Sequence, residues 1–257
     1  MSDTIVVSFA NQKGGVGKST LTVLLASYLY YELGVSVAIL DCDSPQNSPG
    51  KERKRELLMV KETPHLQEMT AEQYQRTGLR PYTIVETRLQ DGLKVLDSIL
   101  SGDNNYSILF LDLPGTMNNQ NVIQLVANCH YVFCPMAADK VDIESTLAFC
   151  QYLYARIVTT SAGNIKQVKT LWTKVDGRER NNLYTVYDDF MESIGVSAMK
   201  TSIPSSVRFK KELSTEPGLK HFRCTLFPPD PALLKGSNIP ELAEEFLETI
   251  GLKHGKR

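Results

Sequence analysis

The stretch Asn11-Gln12-Lys13-Gly14-Gly15-Val16-Gly17-Lys18-Ser19-Thr20 gathers three glycines, two lysines and a Lys-Ser pair. Glycines let the backbone turn tightly, so that successive N–H groups converge on one cavity. An amide-lined cavity at a helix N-terminus selects an anion of high charge density, a polyphosphate above all. In that setting Lys18 supplies a mobile cation to the β and γ phosphates, and the Ser19 hydroxyl is the expected Mg2+ ligand. Carboxylates that could complete such a site stand at the ends of two apolar runs. Asp41 and Asp43 lie in Leu40-Asp41-Cys42-Asp43-Ser44-Pro45-Gln46, and Asp112 in Leu111-Asp112-Leu113-Pro114-Gly115. One acid so placed can hold Mg2+ through its water shell, and another can orient the water that attacks a γ phosphate, because phosphoryl transfer is mainly positioning and electrostatics. Taken alone, Asp-x-Pro-Gly is an ordinary exit from a strand into a turn. A phosphate loop upstream gives it the metal-binding reading.

These residues can act together only if regular elements hold them. Apolar strand-like runs alternate with helical segments, the pattern of a mostly parallel sheet flanked by helices on both faces. Strands are predicted over 4–10, 36–40, 82–86, 107–111, 130–135, 168–175 and 199–203. Helices are predicted over 18–33, in the stretch reaching residue 77, in a segment ending near Gly102, and over 142–160, 178–194 and 239–250. Residues 204–213 read as a polar connection and helix, and the Pro-rich 227–231 as a loop. The phosphate loop then falls between the first strand and the first helix. At 257 residues and 42% hydrophobic content the chain suits one α/β domain spanning 1–257.

The segment Lys13-Gly14-Gly15-Val16-Gly17-Lys18-Ser19-Thr20, with Gln12 where the general pattern has its first glycine, resembles the deviant Walker A box of the ParA and MinD group. The resemblance implies a single-domain P-loop NTPase fold with a twisted sheet, ATP and Mg2+ as cofactors, and a homodimer formed around ATP. It implies slow, partner-stimulated ATP hydrolysis, with Lys13 reaching across the dimer to the partner's phosphates and Lys18 and Asp43 completing the catalytic set. Asp41 and Asp112 would join Ser19 at the metal, and Gly115 would present its N–H to the γ phosphate. Relative to the family's Asp-x-Asp-Pro-Gln, Ser44 is an insertion.

The resemblance also places base contacts. Trp172-Thr173-Lys174-Val175-Asp176-Gly177-Arg178 closes a strand where this superfamily meets the nucleotide base, which brings in Asp176. The same segment contains the Lys-x-Asp of guanine-specific proteins, so adenine is inferred from Lys13. Ile203-Pro204-Ser205-Ser206-Val207-Arg208 resembles the family's Ile-Pro-x-x-Val-Arg, implying base contacts from Ile203 and Pro204. Non-specific DNA contacts would then come from Arg208, Lys210 and Lys211; a charged, solvated helix face accounts for the same three residues. The run 51–56, KERKRE, carries the same ambiguity. More narrowly, the phosphate loop, Asp-Cys-Asp-Ser-Pro-Gln and Asp-Leu-Pro-Gly-Thr are similar to TraA-type ParA-like proteins of Bacteroides conjugative transposons. That implies partition, maintenance or transfer of a mobile element, with a ParB-like or conjugation protein as partner.

Composition narrows the alternatives. A net charge of −1 offers no global attraction to nucleic acid or anionic lipid, so such binding needs a local patch. The first residues read neither as a signal segment nor as a lipidation signal, which predicts a cytoplasmic protein. Five cysteines, at 42, 129, 134, 150 and 224, read as reduced core thiols. An iron–sulfur role would need them at a dimer axis, which Cys129 and Cys134 fit poorly. A MinD-like membrane-positioning ATPase would need a basic amphipathic C-terminal helix, whereas PELAEEFLETI is acidic and no membrane anchor is evident. A nucleotide-binding interaction module with negligible hydrolysis is the remaining alternative. His65, His130, His221 and His254 lack mutual metal-ligand spacing.

Overall fold

Near-continuous apolar runs such as VAILD and ILFLD suit strands buried on both faces, and a parallel sheet is the arrangement that buries them. A computed structural model of the protein describes residues 4–46, 48–116, 119–176 and 183–253. Among these, β1 (Ile5–Phe9), β2 (Val37–Asp41), β3 (Thr83–Glu86), β4 (Ile108–Asp112), β5 (Tyr131–Met136), β6 (Gln167–Trp172) and β7 (Ser197–Ala198) form one 7-stranded sheet. The order is β3-β2-β4-β1-β5-β6-β7 and every pairing is parallel. Strand β1 is central. Its chain continues into β2 on one side, whereas β5 pairs on the other, so a crevice opens beyond the strands' carboxyl ends.

Helices α1 (Lys18–Ser27) and α9 (Ile239–Thr249) cover one face. The other carries α4 (Gly92–Ser101), α5 (Gln120–Ala127), α6 (Lys140–Leu153) and α7 (Leu183–Ser193). Helices α2 (Ser48–Glu62) and α3 (Pro64–Thr77) pack with the chain around 213–227 in a smaller cluster of Leu66, Leu213, Cys224, Leu226 and Phe227. A short α8 (Pro231–Leu234), capped by Asp230, precedes α9. No helix among the described residues is long and apolar enough to cross a membrane.

Several boundaries differ from the sequence pattern for identifiable reasons. The helix expected over 18–33 is α-helical to Ser27 and closes in a π-helical turn, Tyr28–Glu32, ending at Gly34, whose φ is 67°. The 142–160 helix begins at Lys140, because Asp139 accepts from the amides of Val141 and Asp142, and it too ends in a π-helical turn, Tyr154–Val158. The strand expected over 199–203 is not one. The regular ladder with β6 ends at Ala198: Met199 and Ile203 still donate to the Thr170 and Trp172 carbonyls of β6, but between them the Glu245 carboxylate of α9 takes the amides of Lys200 (2.7 Å) and Thr201 (2.8 Å). The strand expected to reach 175 ends at Trp172; Lys174, at φ 55°, interrupts it, and Val175 keeps only an isolated parallel bridge to Pro204. Helix α5 has no counterpart among the expected helices, and Pro231 of the expected loop opens α8. Of the helix expected over 178–194, residues 178–182 lie outside the described residues, as do Gly177, Arg178 and His254. All five cysteines are buried free thiols, Cys42 pushed up to about 12 by burial.

The α9 face of the core turns on Phe246, which is fully buried and packs on Phe110 (centroids 5.9 Å) and Phe133 (4.9 Å). Phe246→Ala is expected to cost about 3–5 kcal/mol in equilibrium urea unfolding. A loss below about 1 kcal/mol would mean that α9 is peripheral to the core.

Candidate functional site

The phosphate loop is held from its flanks, leaving its centre open. Buried Asn11 donates to the Pro135 carbonyl and to Thr146 Oγ1, both at 2.7 Å, and its Oδ1 accepts from the Lys13 amide. Gly15 (φ 78°) and Gly17 (φ 95°) occupy the left-handed region that side chains disfavour. Two lysines occupy loop carbonyls: Lys18 Nζ donates to Lys13 O and Lys174 Nζ to Gly15 O, each at 2.9 Å. Gly17 caps α1 without any side-chain hydrogen bond, so the first amides of the helix stay available to an anion.

Two cavities meet at this loop. One of about 730 Å³ is lined by Gly14, Gly15, Gly17, Lys18, Ser19 and Thr20, and closed by Asp43, Gln46, Pro114 and Gly115. The other, about 570 Å³ and less polar, is lined by Val16, Leu21, Thr173, Lys174, Ile203, Pro204 and Phe209. A charged chamber joined to an apolar one has the layout needed for a polyphosphate attached to a ring.

Two features bear on a divalent cation. Ser19 Oγ donates to Asp112 Oδ2 at 2.8 Å, while Asp112 Oδ1 is buried with no hydrogen-bond partner among the described residues. Burial pushes Asp112 up to about 7, against the opposing pull of the Ser19 hydrogen bond. A desolvated carboxylate with an orphaned oxygen beside a serine hydroxyl fits Mg2+. Gly115 approaches so closely that a Cβ there would lie 2.8 Å from Lys18 Nζ. Burial also lowers Lys18, with Asp112 and Asp43 opposing.

The remaining expected site residues divide. Asp43 is half-buried and lines the larger cavity; burial raises its pKa while Lys18 lowers it. The turn at Ser44 still brings Gln46 to that wall. Asp41, expected at the metal, does not line the cavity. Its oxygens accept from the amides of Asp43 (3.2 Å) and Gly50 (3.1 Å), bracing the turn into α2. Ile203 and Pro204 line the apolar cavity, whereas Asp176 does not and Lys174 stands there instead. Arg208 is engaged within the chain, donating to the carbonyls of Leu233 and Lys235. Lys210 lies at the apolar cavity and Lys211 is exposed.

Lys13 does not line the cavity of its own loop; its ammonium pairs with Asp142 and Asp139 on and before α6, which raise its pKa. Lys51, Glu52 and Arg55 belong to the run 51–56, which the sequence pattern offers only for DNA contact, and Arg223 has no signal there; all four line the larger cavity. Lys51 and Arg55, four apart on α2, share a helix face, a signal present within KERKRE. Glu52 and Glu56 of that run are buried and Arg53 bonds to Tyr82 and Thr225, so the run is largely occupied inside the molecule.

A family model described as the CobQ/CobB/MinD/ParA nucleotide binding domain matches residues 7–217. Among solved structures, a plasmid partition protein from Borrelia burgdorferi is 16% identical with a TM-score of 0.55, covering 97% of this chain and 98% of that one. An ATP complex of a McdA variant from Cyanothece is 15% identical with a TM-score of 0.57, covering 100% of both. The MinC:MinD cell division complex of Aquifex aeolicus gives 14% and 0.59, covering 99% of this chain and 98% of that one. At these identities the likeness concerns the fold, that of the P-loop NTPases. No curated protein matches the sequence.

With Asp112 at about 7 when folded against an ordinary 3.8, the nucleotide-free protein holds a proton that the unfolded chain releases. Stability therefore falls as pH rises from about 4 to about 7 and levels off above. Asp112→Asn removes this contribution, on the order of 4 kcal/mol. Without nucleotide or metal, the variant's Tm is expected to match wild type near pH 4 and exceed it near pH 8. A Tm difference that does not grow with pH would show that Asp112 carries no such penalty.

Proposed function

The chain belongs to the CobQ/CobB/MinD/ParA nucleotide-binding family, and on that footing we propose that it is a Mg-ATP-dependent ATPase switch of the ParA type, residues 1–257 forming one domain that dimerises around ATP. The observation that carries the reading is the direction taken by Lys13. A lysine within a phosphate loop whose ammonium lies outside its own phosphate cavity can serve the phosphates of a second copy, once Asp139 and Asp142 release it. The negative charge of a γ phosphate offsets the repulsion between cations brought together at such an interface, and hydrolysis removes that offset.

Within one subunit the loop amides and Lys18 bind the phosphate tail, and Ile203, Pro204 and the Lys174 stem enclose the base. Ser19 and Asp112 would hold Mg2+, which when bound neutralises charge on the β and γ oxygens. Asp43 orients the attacking water from the cavity wall, and the Gly115 N–H faces the γ position. Products are ADP and phosphate, with turnover expected to be slow until a partner stimulates it. The ATP complex of the similarly folded McdA variant supports adenine, and the MinC:MinD complex supports a protein partner.

The TraA-type resemblance extends the proposal to partition, maintenance or transfer of a mobile DNA element in the cytoplasm, with a ParB-like or conjugation protein as partner. Non-specific DNA contact through the 208–211 segment would rest on Lys211 and Lys210, since Arg208 is engaged within the chain. A MinD-like membrane role is less well supported: the apolar side of α9 (Ile239, Leu242, Ala243, Phe246, Leu247) is buried against the sheet.

Light scattering after size exclusion should find a monomer with Mg-ADP and a dimer with Mg2+ and a non-hydrolysable ATP analogue. Lys13→Ala should remain monomeric with the analogue and release phosphate roughly a hundredfold more slowly. A variant that dimerises like wild type would end the trans role. Wild-type phosphate release absent both with and without DNA would favour the interaction module.

A further inference from the structure

Among the described residues, Arg223 is the one cationic residue that lines both cavities; the others they share are Gly15, Gly17 and Thr20. Lys18, Ser19 and Gly115, with Asp112 behind Ser19, mark the terminal-phosphate end of the larger cavity, and Ile203 and Pro204 the ring end of the smaller. The part of a nucleoside phosphate that joins tail to ring is its α phosphate and ribose, so Arg223 stands at that junction. Its Nη1 donates to Thr20 Oγ1 at 3.1 Å, its Nε to Glu52 Oε1 at 3.1 Å, and its Nη2 to Glu212. The side chain is one-fifth exposed.

On this geometry, and resting on the nucleotide-binding reading above, we propose that Arg223 is a nucleotide-binding residue that grips the α phosphate and adjoining ribose, drawn to the ligand from the two carboxylates that hold it in the free protein. The exchange is balanced in charge, since a guanidinium leaves carboxylate oxygens for phosphate oxygens in the same fork geometry. Glu52 can release it readily: burial pushes that carboxyl up to about 7, so at neutral pH it shares a proton instead of holding a full opposing charge. Glu212 is not left bare, because Arg55 pairs with its other oxygen. Because the α phosphate is common to ADP and ATP, the contact stabilises both alike. It is a uniform binding interaction, one that lowers KM without raising kcat.

The alternative role for Arg223 is purely architectural, tying the chain after Lys211 to α2. Isothermal titration of Mg-ADP and of a Mg-bound non-hydrolysable ATP analogue into wild type, Arg223→Ala, Arg223→Lys and Glu212→Gln separates the two. Arg223→Ala should weaken both ligands by a similar factor of about tenfold and raise the KM for ATP accordingly, with kcat within about twofold. Arg223→Lys, which keeps the charge and should fold even if the alanine variant does not, should lose about threefold for both ligands. Glu212→Gln removes a carboxylate that competes for the guanidinium and should bind both ligands at least as tightly as wild type. Loss in Glu212→Gln equal to that in Arg223→Ala would assign the architectural role and overturn the proposal. So would a loss confined to the ATP analogue, or a fall in kcat with KM unchanged. If wild type takes up neither ligand, the ParA-type reading itself fails, an outcome distinct from wild-type uptake that Arg223→Ala and Arg223→Lys leave unchanged.

Discussion

Parallel strands deliver their carboxyl ends to a single edge of the sheet, and at that edge the protein must accommodate more acid than one buried ammonium can neutralise. Asp41 and Asp112 stand side by side in register at the ends of β2 and β4, Asp43 follows, and Lys18 is the buried cation among them. Burial raises all three carboxyls and lowers the lysine. The molecule resolves the conflict unevenly. Asp41 is satisfied by two main-chain amides and becomes scaffold; Asp112 keeps one oxygen orphaned; Asp43 is left half-exposed on the cavity wall. The cost of a desolvated, under-bonded carboxylate is of the kind a cation can recover, so the fold's least comfortable group is also the one best placed to hold a ligand.

The loop above that edge follows a complementary rule. Two of its carbonyls are taken by lysines, Lys18 from the loop's own end and Lys174 from just beyond β6, and its start is anchored by Asn11 to β5 and α6. Its glycines carry the positive φ values that let the amides converge. The sheet supplies concentrated negative charge and the loop concentrated positive dipole, a short distance apart. An anionic ligand carrying its own divalent cation satisfies both surfaces at once, which neither a bare anion nor a bare metal would do.

How much of this was legible in the sequence follows from how local each feature is. The phosphate loop and the Asp112 to Gly115 exit are contiguous runs whose residue types declare their backbone needs. The strands of the sheet's centre were readable for the same reason, as apolar runs too long to be surface. The misses are features decided by distant partners. Residues 199–203 have the composition of a strand, but Glu245 takes two of their amides, and nothing near Thr201 announces a carboxylate 44 residues on. Asp176 was placed by analogy with a strand end, yet the left-handed turn at Lys174 sends that lysine to the cavity instead. Arg223 follows an irregular stretch without periodicity, and its position is set by Glu52, Glu212 and Thr20 on three other parts of the chain. Helix α5 is eight residues long, too short for its apolar period to stand out.

The ion pair of Lys13 shows how the same charge accounting could set a threshold for switching. Asp139 both caps α6 and faces Lys13, so its lone pairs stay occupied if the lysine leaves. Asp142 is different: its side chain is 8% exposed, and losing the ammonium would strand a nearly buried carboxylate. Breaking such a pair from one side is far more costly than never forming it. Under the trans role proposed for Lys13, release must therefore be offset by a comparably strong acceptor on the partner. A γ phosphate brings the extra negative charge that a diphosphate lacks. The cis pair thus works against dimerisation in general and against dimerisation around ADP in particular. On this view α6 serves as the counterweight that makes a phosphate-binding lysine respond to the length of the phosphate chain.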